Sequence, residues 1–435
     1  MPHILLLGTL DTKLDEILYL HTQLIETATR FSTPLEITLV DCGRQPVVNP
    51  NISITHNDLL TRYAPDHAPG LPGLSRGEAI NFLIGCVSKC VADILSQTEI
   101  HGIIGAGGSG GTSLISAAMR NAAPIGLPKF IVSTVASGDT GPVVGECDIT
   151  LMYSVVDVSG TNRLLREVLE NAAGAMFGMG VAYERRLHEG RTENRLDDGG
   201  ERKKIQVGIT MFGVTTPCVD RVRRHLEENY PVEVYVFHAT GHGGRAMERL
   251  VGEGRLDAIL DITTTEICDL VAGGNMACDP SRLDVALRRG IPNIISVGAT
   301  DMVNFGPLDT VPRQYRDRKL HVHNPTVTLM RTSVEECQKV GEFIVDKVNR
   351  FAADKSMVEV WIPTGGVSII ATPGSVFADN EADTALADTL RSGLEGSQAR
   401  VVSDVRDIND EGFAVDIADK LMGLLAEHSA RGKER

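Results

Sequence analysis

The chain has 435 residues, with 42 Lys and Arg against 57 Asp and Glu, for a formal net charge of −15. That balance argues against a generic nucleic-acid or anionic-membrane surface, which needs clustered cations, but allows a basic pocket for one small phosphorylated ligand. The length suggests two or three domains; 42% apolar residues, 4% aromatics and 44 glycines fit an α/β architecture with many backbone-lined turns.

Eight cysteines are scattered along the chain. Cys86 and Cys90 share a helix face, but no partner pair follows at zinc-finger distance, so reduced, partly buried thiols are expected. The apolar run at the N-terminus is too short for a signal peptide, and no apolar stretch approaches membrane length. A cytoplasmic protein is expected.

In chain order, His3 to Leu7 is an apolar strand. Gly8 and Thr9 make its turn, and Asp11 or Thr12 is placed to cap a helix with apolar residues at Leu14, Ile17, Leu18, Leu20 and Leu24. A second strand, Leu35 to Gly43, carries Asp41 at its carboxyl end. In a mononucleotide-binding unit that acid reads ribose hydroxyls; otherwise it is a turn residue. Arg44 to Arg76, rich in Pro, Asn and His, reads as a surface excursion, and Arg76 to Ser96 as a helix.

Gly102 to Ile115 is the most informative stretch. Ile103 and Ile104 end a strand-type run. Gly105, Gly107, Gly108, Ser109, Gly110 and Gly111 follow, then Thr112 and Ser113 as cap candidates and a helix over Leu114 to Met119. Strand, Gly-rich turn and helix start together make an anion site: glycine allows close approach, the first-turn N–H groups lack partners, and the helix dipole favours negative charge. The Lys of a Walker loop and the spacing of the dinucleotide fingerprint are both missing. Five glycines exceed what a tight turn needs, so phosphate is the expected ligand.

Lys129 to Val135 is the next strand, and its turn carries Ser137, Gly138 and Asp139. A strand near Ile149 to Val156 leads into a helix over Asn162 to Met179. The charged, aperiodic stretch from Tyr183 to Lys204 reads as a connector. Strand, small-residue turn and helix then recur from Lys204 onward, with a Thr-rich turn at Thr263, Thr264 and Thr265. The expected organisation is an N-terminal domain over 1–184, a charged linker over 185–204 and a C-terminal domain over 205–435. Both domains are Rossmann-like α/β units with open, mainly parallel sheets and a cleft between them.

Arg313, Arg316, Arg318, Lys319, His321, His323 and Arg331 form a basic cluster that is a candidate anion clamp, with a solvated face as the plainer reading. His321 and His323 alternate, and His238 and His242 straddle a Gly turn. Neither pair has ligand-spaced partners, so no metal site is expected. Cys218 at a helix start is a candidate reactive thiol, although a buried Cys is the commoner case.

Several longer strings carry a family resemblance: LGTLDTKLDEI, GAGGSGGTSLISAAMR, STVASGDTGPVVGECDI, FHATGHGGRAMERL, DITTTEICDLVAGG and HVHNPTVTLMRTS. Together they resemble the ATP-binding domain family named after the tomato mosaic virus resistance protein, whose bacterial and fungal members form an uncharacterised protein family. The resemblance implies paired Rossmann-like subdomains, ATP binding and a homodimer. It places the nucleotide on Gly105, Gly107, Gly108, Ser109, Gly110, Gly111 and Thr112, with Thr9, Asp11 and Lys13 beside them and Ser137, Gly138 and Asp139 as further candidates. Mg²⁺ would arrive with ATP and be held by few carboxylates, Asp11 or Asp139. The expected function is ATP binding, with a small anionic ligand in the interdomain cleft. Two alternatives are an ATP-using phosphotransferase or lyase for a small carboxylate or phosphorylated metabolite, and an ATP-dependent switch that regulates a partner.

Overall fold

A computed structural model describes residues 1–64, 71–196 and 204–433, with side chains described at all of these except 72, 190–196 and 432–433. The chain divides into two compact units, Met1–Glu201 and Arg202–Arg435.

The first unit contains β1 (His3–Gly8), α1 (Leu10–Arg30), β2 (Glu36–Asp41), α2 (His56–Tyr63), α3 (Arg76–Gln97) and β3 (Gly102–Gly107). It continues with α4 (Ser109–Ala122), β4 (Lys129–Ser133), α5 (Gly141–Val144), β5 (Ile149–Tyr153) and α6 (Arg163–Leu196). The five strands are all parallel, in the order β2-β1-β3-β4-β5. Alternate side chains enter opposite faces. Ile4, Leu6, Ile104 and Val132 pack under α1 and α6, whereas Leu5, Leu7, Ile103 and Ile131 pack under α3 and α4. Both faces are covered, which is why the strands read as continuous apolar runs. The order reverses direction between β1 and β3. At that switch point the loops leaving two neighbouring strands turn to opposite faces and open a crevice at the carboxyl edge.

Two expectations change here. The helix predicted over Asn162 to Met179 continues to Leu196, so 185–196, expected as an aperiodic connector, is helical; residues 197–203 lie outside the described residues. α3 is also long and apolar enough to cross a membrane by length and composition, against the expectation that no stretch approaches that length. Its Leu83, Cys86, Val87, Cys90 and Val91 are buried in the core of this unit.

The second unit contains β6 (Ile205–Met211), α7 (Thr216–Asn229), β7 (Val232–His238), α8 (Gly243–Gly252), β8 (Ala258–Thr263), α9 (Thr265–Ala272), α10 (Asp284–Arg289) and β9 (Asn293–Gly298). After these come β10 (Met302–Phe305), β11 (Leu320–Asn324), β12 (Val327–Arg331), α11 (Val334–Phe351), β13 (Val358–Pro363), α12 (Asn380–Gly393), β14 (Arg400–Asp404) and α13 (Glu411–Lys433). The main sheet is parallel, in the order β14-β13-β9-β8-β6-β7. It therefore repeats the first unit's reversal between its first and third strands. β10, β12 and β11 form a separate antiparallel sheet. α7 and α13 cover one face of the main sheet with Val222, Leu226, Phe413, Ile417 and Leu421. α9, α11 and α12 take part in the core on the other.

Candidate functional site

The switch point of the first sheet opens into a cavity of about 730 Å³. Its wall draws on the ends of all five strands: Thr9 and Asp11 to Lys13 after β1, Cys42, Arg44 and Gln45 after β2, Gly108 to Gly111 after β3, Thr134 and Val135 after β4, and Asp157 after β5. Arg76, Ile80 and Leu83 of α3 and Leu114 of α4 complete it.

α4 begins at Ser109, five residues earlier than expected, so Gly110 and Gly111 lie in its first turn, while Gly105 and Gly107 belong to β3. Its N-cap is Gly108, which has no side chain to supply a cap bond. The Thr112 N–H already donates to the Gly108 carbonyl at 2.8 Å. The amides of Ser109, Gly110 and Gly111 precede that first helical bond and are left for an outside acceptor.

None of these glycines has a positive φ, so conformational freedom is not what selects them. Two kinds of position can be separated by what a Cβ would meet. At Gly105 it would lie 2.8 Å from the Leu7 carbonyl oxygen and from Ile115, and at Gly107 it would lie 3.1 Å from the Gly111 Cα. These two glycines let β3, β1 and α4 pack closely. At Gly108 the nearest atom would be the Thr134 Oγ1 at 3.8 Å, and at Gly111 the Thr9 Oγ1 at 3.7 Å. The protein leaves room there, and a side chain would occupy the cavity. Gly105→Ala is accordingly expected to cost about 1–3 kcal/mol of stability by overpacking. Chemical denaturation measures this, and an unchanged midpoint would show that β1 and β3 part without cost.

Of the predicted site residues, Thr9, Asp11, Lys13, Gly108, Ser109, Gly110 and Gly111 line the cavity. Gly105, Gly107 and Thr112 do not. Thr112 is buried, its hydroxyl 2.7 Å from the Ser133 Oγ and bonded to the Gly107 carbonyl, so it ties α4 to β4. Ser137, Gly138 and Asp139 are exposed outside the wall. Asp139 Oδ1 accepts the Gly141 N–H at 3.0 Å, and Thr134 and Val135 take the place expected of this turn. Asp41 is fully buried, with Oδ1 on the Gly43 N–H at 3.0 Å. It is a turn residue and does not face a ribose. Burial pushes its carboxyl up, against the pull of the Gly43 amide.

Arg44 and Arg76 were not anticipated, since the segment they bound reads as a surface excursion. Ser75 and Glu78 form a capping box that makes Arg76 the first residue of α3. A helix leading into a parallel strand starts at the carboxyl edge of the sheet, so the S-x-x-E signature was the available signal. Arg76 Nη2 lies 3.4 Å from where a Gly110 Cβ would be, beside the first turn of α4. The Arg44 N–H donates to Asp11 Oδ2 at 3.0 Å, and its Nε is buried without a hydrogen-bond partner among the described residues. Lys13 stands at a break in α1, with φ −135° and ψ 28°.

The second sheet repeats the topology but closes its strand-end turns with its own side chains. At the start of α7, Asn409 Oδ1 accepts the Cys218 N–H at 3.2 Å, and Asn409 Nδ2 donates to the Val214 carbonyl at 3.1 Å. At α8, Glu266 Oε1 accepts the N–H groups of Gly241 and Gly244 at 2.8 and 3.3 Å. Thr215 and Thr263 pair through their hydroxyls at 2.8 Å, and Thr263, Thr264 and Thr265 are all buried. The expectation from the sequence is a row of polar turns like those of the first sheet.

Two members of the Arg313 to Arg331 cluster, Arg318 and Arg331, are likewise engaged within the fold. Arg318 makes two bonds to Glu336, at 3.1 and 2.8 Å, and buried Arg331 pairs with Asp383 at 2.6 Å. These two guanidinia hold loops and are not free to clamp a ligand. His321 stands edge-on to Phe377, His323 is exposed, and the described residues contain no group of three metal-ligating side chains. All eight cysteines are buried thiols. Burial pushes the Cys218 thiol up to about 12, which removes it as a reactive thiol.

Two doubly wound α/β units in sequence, the first with a switch-point cavity, define the class of protein. The chain belongs to the uncharacterised protein family UPF0261: the model of that family's N-terminal domain matches residues 2–185, and that of its C-terminal domain matches 204–425. A UPF0261 protein of Clostridium tetani is 42% identical over 97% of this chain and 98% of its own length. The ToMV resistance protein Tm-1(GCR237) of Solanum lycopersicum is 40% identical over 97% of this chain and 56% of its own length, so this chain spans little more than half of that protein. Among solved structures, a putative UDP-N-acetylglucosamine 2-epimerase from Listeria monocytogenes aligns over 91% of this chain and 97% of its own, at 9% identity and a TM-score of 0.22, a likeness too slight to bear on function.

Proposed function

We propose that this is an ATP-binding protein whose first unit takes the nucleotide's phosphates on the first turn of α4. The observation that carries the reading is that an uncapped helix start and three cations, Lys13, Arg44 and Arg76, share one cavity at the strand-order reversal. Its volume, about 730 Å³, lies within the range of small-ligand pockets. The donor set suits phosphate: free amides at a helix N-terminus, two guanidinia and an ammonium. Space at Gly108 and Gly111 supports the same reading, because backbone there is left bare toward the cavity. A Mg²⁺ ion arriving with the nucleotide would find Asp11 and Asp157 on the wall and would neutralise part of the phosphate charge. Asp139 lies outside the wall and drops out as a metal holder.

Isothermal calorimetry with ATP and Mg²⁺ tests this. Saturable binding is expected, with a loss of roughly a hundredfold or more in Gly108→Val, whose side chain would stand where the phosphate approaches. The thermal midpoint of that variant should stay close to wild type, because a Cβ at Gly108 has room. No binding, or binding that Gly108→Val leaves untouched, sinks the reading.

A further inference from the structure

Cations elsewhere in this fold that lose contact with water gain a carboxylate. Lys129 pairs with Asp148 at 2.7 Å, Arg331 with Asp383 at 2.6 Å and Lys347 with Asp284 at 2.5 Å, and Arg282 pairs with three acids. Lys13 and Arg44, both half-buried, depart from that pattern, and exposed Arg76 joins them at the cavity. They reach one cavity from three separate segments, and none has an ion pair among the described residues, although Asp11 and Asp157 line the same wall. A buried, unsatisfied Nε on Arg44 is the kind of orphan donor that a native site leaves for a ligand.

Of the groups able to read a nucleoside, Thr9, Thr12 and Thr134 can equally serve a phosphate and Asp11 already accepts the Arg44 amide, which leaves Asp157. Asp41, at the position that reads ribose in dinucleotide sites, is sealed under Gly43. Ile80, Leu83 and Leu114 offer only apolar contact, which accepts any base, and Gln45 is an exposed amide at the rim.

We propose that the phosphate chain, and not the nucleoside, carries the affinity of this cavity, so that linear inorganic polyphosphate is itself a ligand. This rests on reading the cavity as a nucleotide-phosphate site. Each guanidinium can make two charge-assisted bonds to a phosphate, and one phosphate group, with at most two negative charges, cannot neutralise two guanidinia and an ammonium. A chain of two or three linked phosphates can, and its charge is the larger for each one added.

Displacement of a fluorescent ATP analogue from the full-length protein tests this. The competitors are tripolyphosphate, ATP, ADP, AMP and adenosine, at one salt concentration and with Mg²⁺ in excess over all phosphate. Tripolyphosphate is expected within about tenfold of ATP, with about tenfold lost for each phosphate removed from ATP. Arg76→Ala and Arg44→Ala should weaken tripolyphosphate and ATP by the same factor, on the order of ten- to a hundredfold, and leave adenosine unchanged. Failure of tripolyphosphate to displace an analogue that ATP does displace overturns the proposal, and so does AMP or adenosine competing as well as ATP. If the analogue does not bind, or binds Gly108→Val as well as wild type, the nucleotide reading itself falls and takes this inference with it.

Discussion

Arg282→Met is expected to lower the stability of the second unit by about 3–5 kcal/mol, the usual cost of stripping the partner from a buried charge. Arg282 is buried among three carboxylates. Its Nη1 is 2.7 Å from Asp261 and 3.2 Å from Glu248, and its Nε is 3.0 Å from Glu266. Burial already pushes the Glu248 carboxyl up, and Arg282 is the largest influence holding it down. The consequence extends past the charges, because Glu266 holds the turn before α8 and Glu248 accepts from the Leu283 and Val285 amides. Methionine fills similar volume but leaves all three acids without a counter-charge. Urea denaturation should show a midpoint lower by about 1 M or more, for a slope of about 1–3 kcal/mol per M. Arg282→Lys should fall between, since one ammonium cannot span three carboxylates in the geometry of a planar fork. An unchanged midpoint in the methionine variant would mean that the acids take up protons at no cost.

The same residues show why parts of this protein were legible in the sequence and others were not. β1, β3, β6 and β8 are buried on both faces, so each reads as an apolar run, and the turn chemistry after each marks its carboxyl end. β13 is likewise buried along its whole length. The Gly-rich stretch suggested an anion site, but composition alone could not separate its glycines by task. Gly105 and Gly107 serve close packing, and only the three-dimensional neighbours of Gly108 and Gly111 show that their bare side faces space. Arg44 and Arg76 escaped notice because a cation's role depends on where its helix or strand ends, and the segment between them has no periodic pattern. The charged stretch after Tyr183 misled in the opposite direction. Its residues Glu184, Arg185, His188 and Glu189 support a helix through pairs four apart, Arg185 to Glu189 at 2.7 Å and His188 to Glu184 at 3.7 Å, without any apolar stripe. The polar turns of the second unit looked like those of the first. Whether such a turn is open depends on a residue far along the chain, such as Asn409, which accepts from the Cys218 amide at the start of α7.

Asp301→Asn is expected to become more stable relative to wild type as pH rises from about 4 to about 7. Asp301 lies just past β9, fully buried. Its Oδ2 accepts from the Ser368 hydroxyl at 2.8 Å, and its Oδ1 is buried without a partner among the described residues. Burial pushes the carboxyl up to about 7, against the pull of Arg331 and Ser368, and Asp383 adds a like charge nearby. An unfolded aspartate titrates near pH 3.9. Between those values the native state keeps a proton that the unfolded chain has released, so unfolding stability falls with rising pH, by up to about 1.4 kcal/mol per pH unit for this one group. The contribution is fully present below about pH 4 and lost as pH rises through about 7. Asp269, also pushed up to about 7 by burial, adds a slope of the same sign. His3 and His21, pushed down by burial, act in the opposite direction near pH 6.5, so the total curve does not isolate Asp301. The difference between wild type and Asp301→Asn does, because asparagine cannot titrate and the remaining groups cancel. Urea midpoints taken at half-unit intervals over that range measure it. A flat difference would place the ionised carboxylate in the fold, held by Arg331 through a network that outweighs its burial.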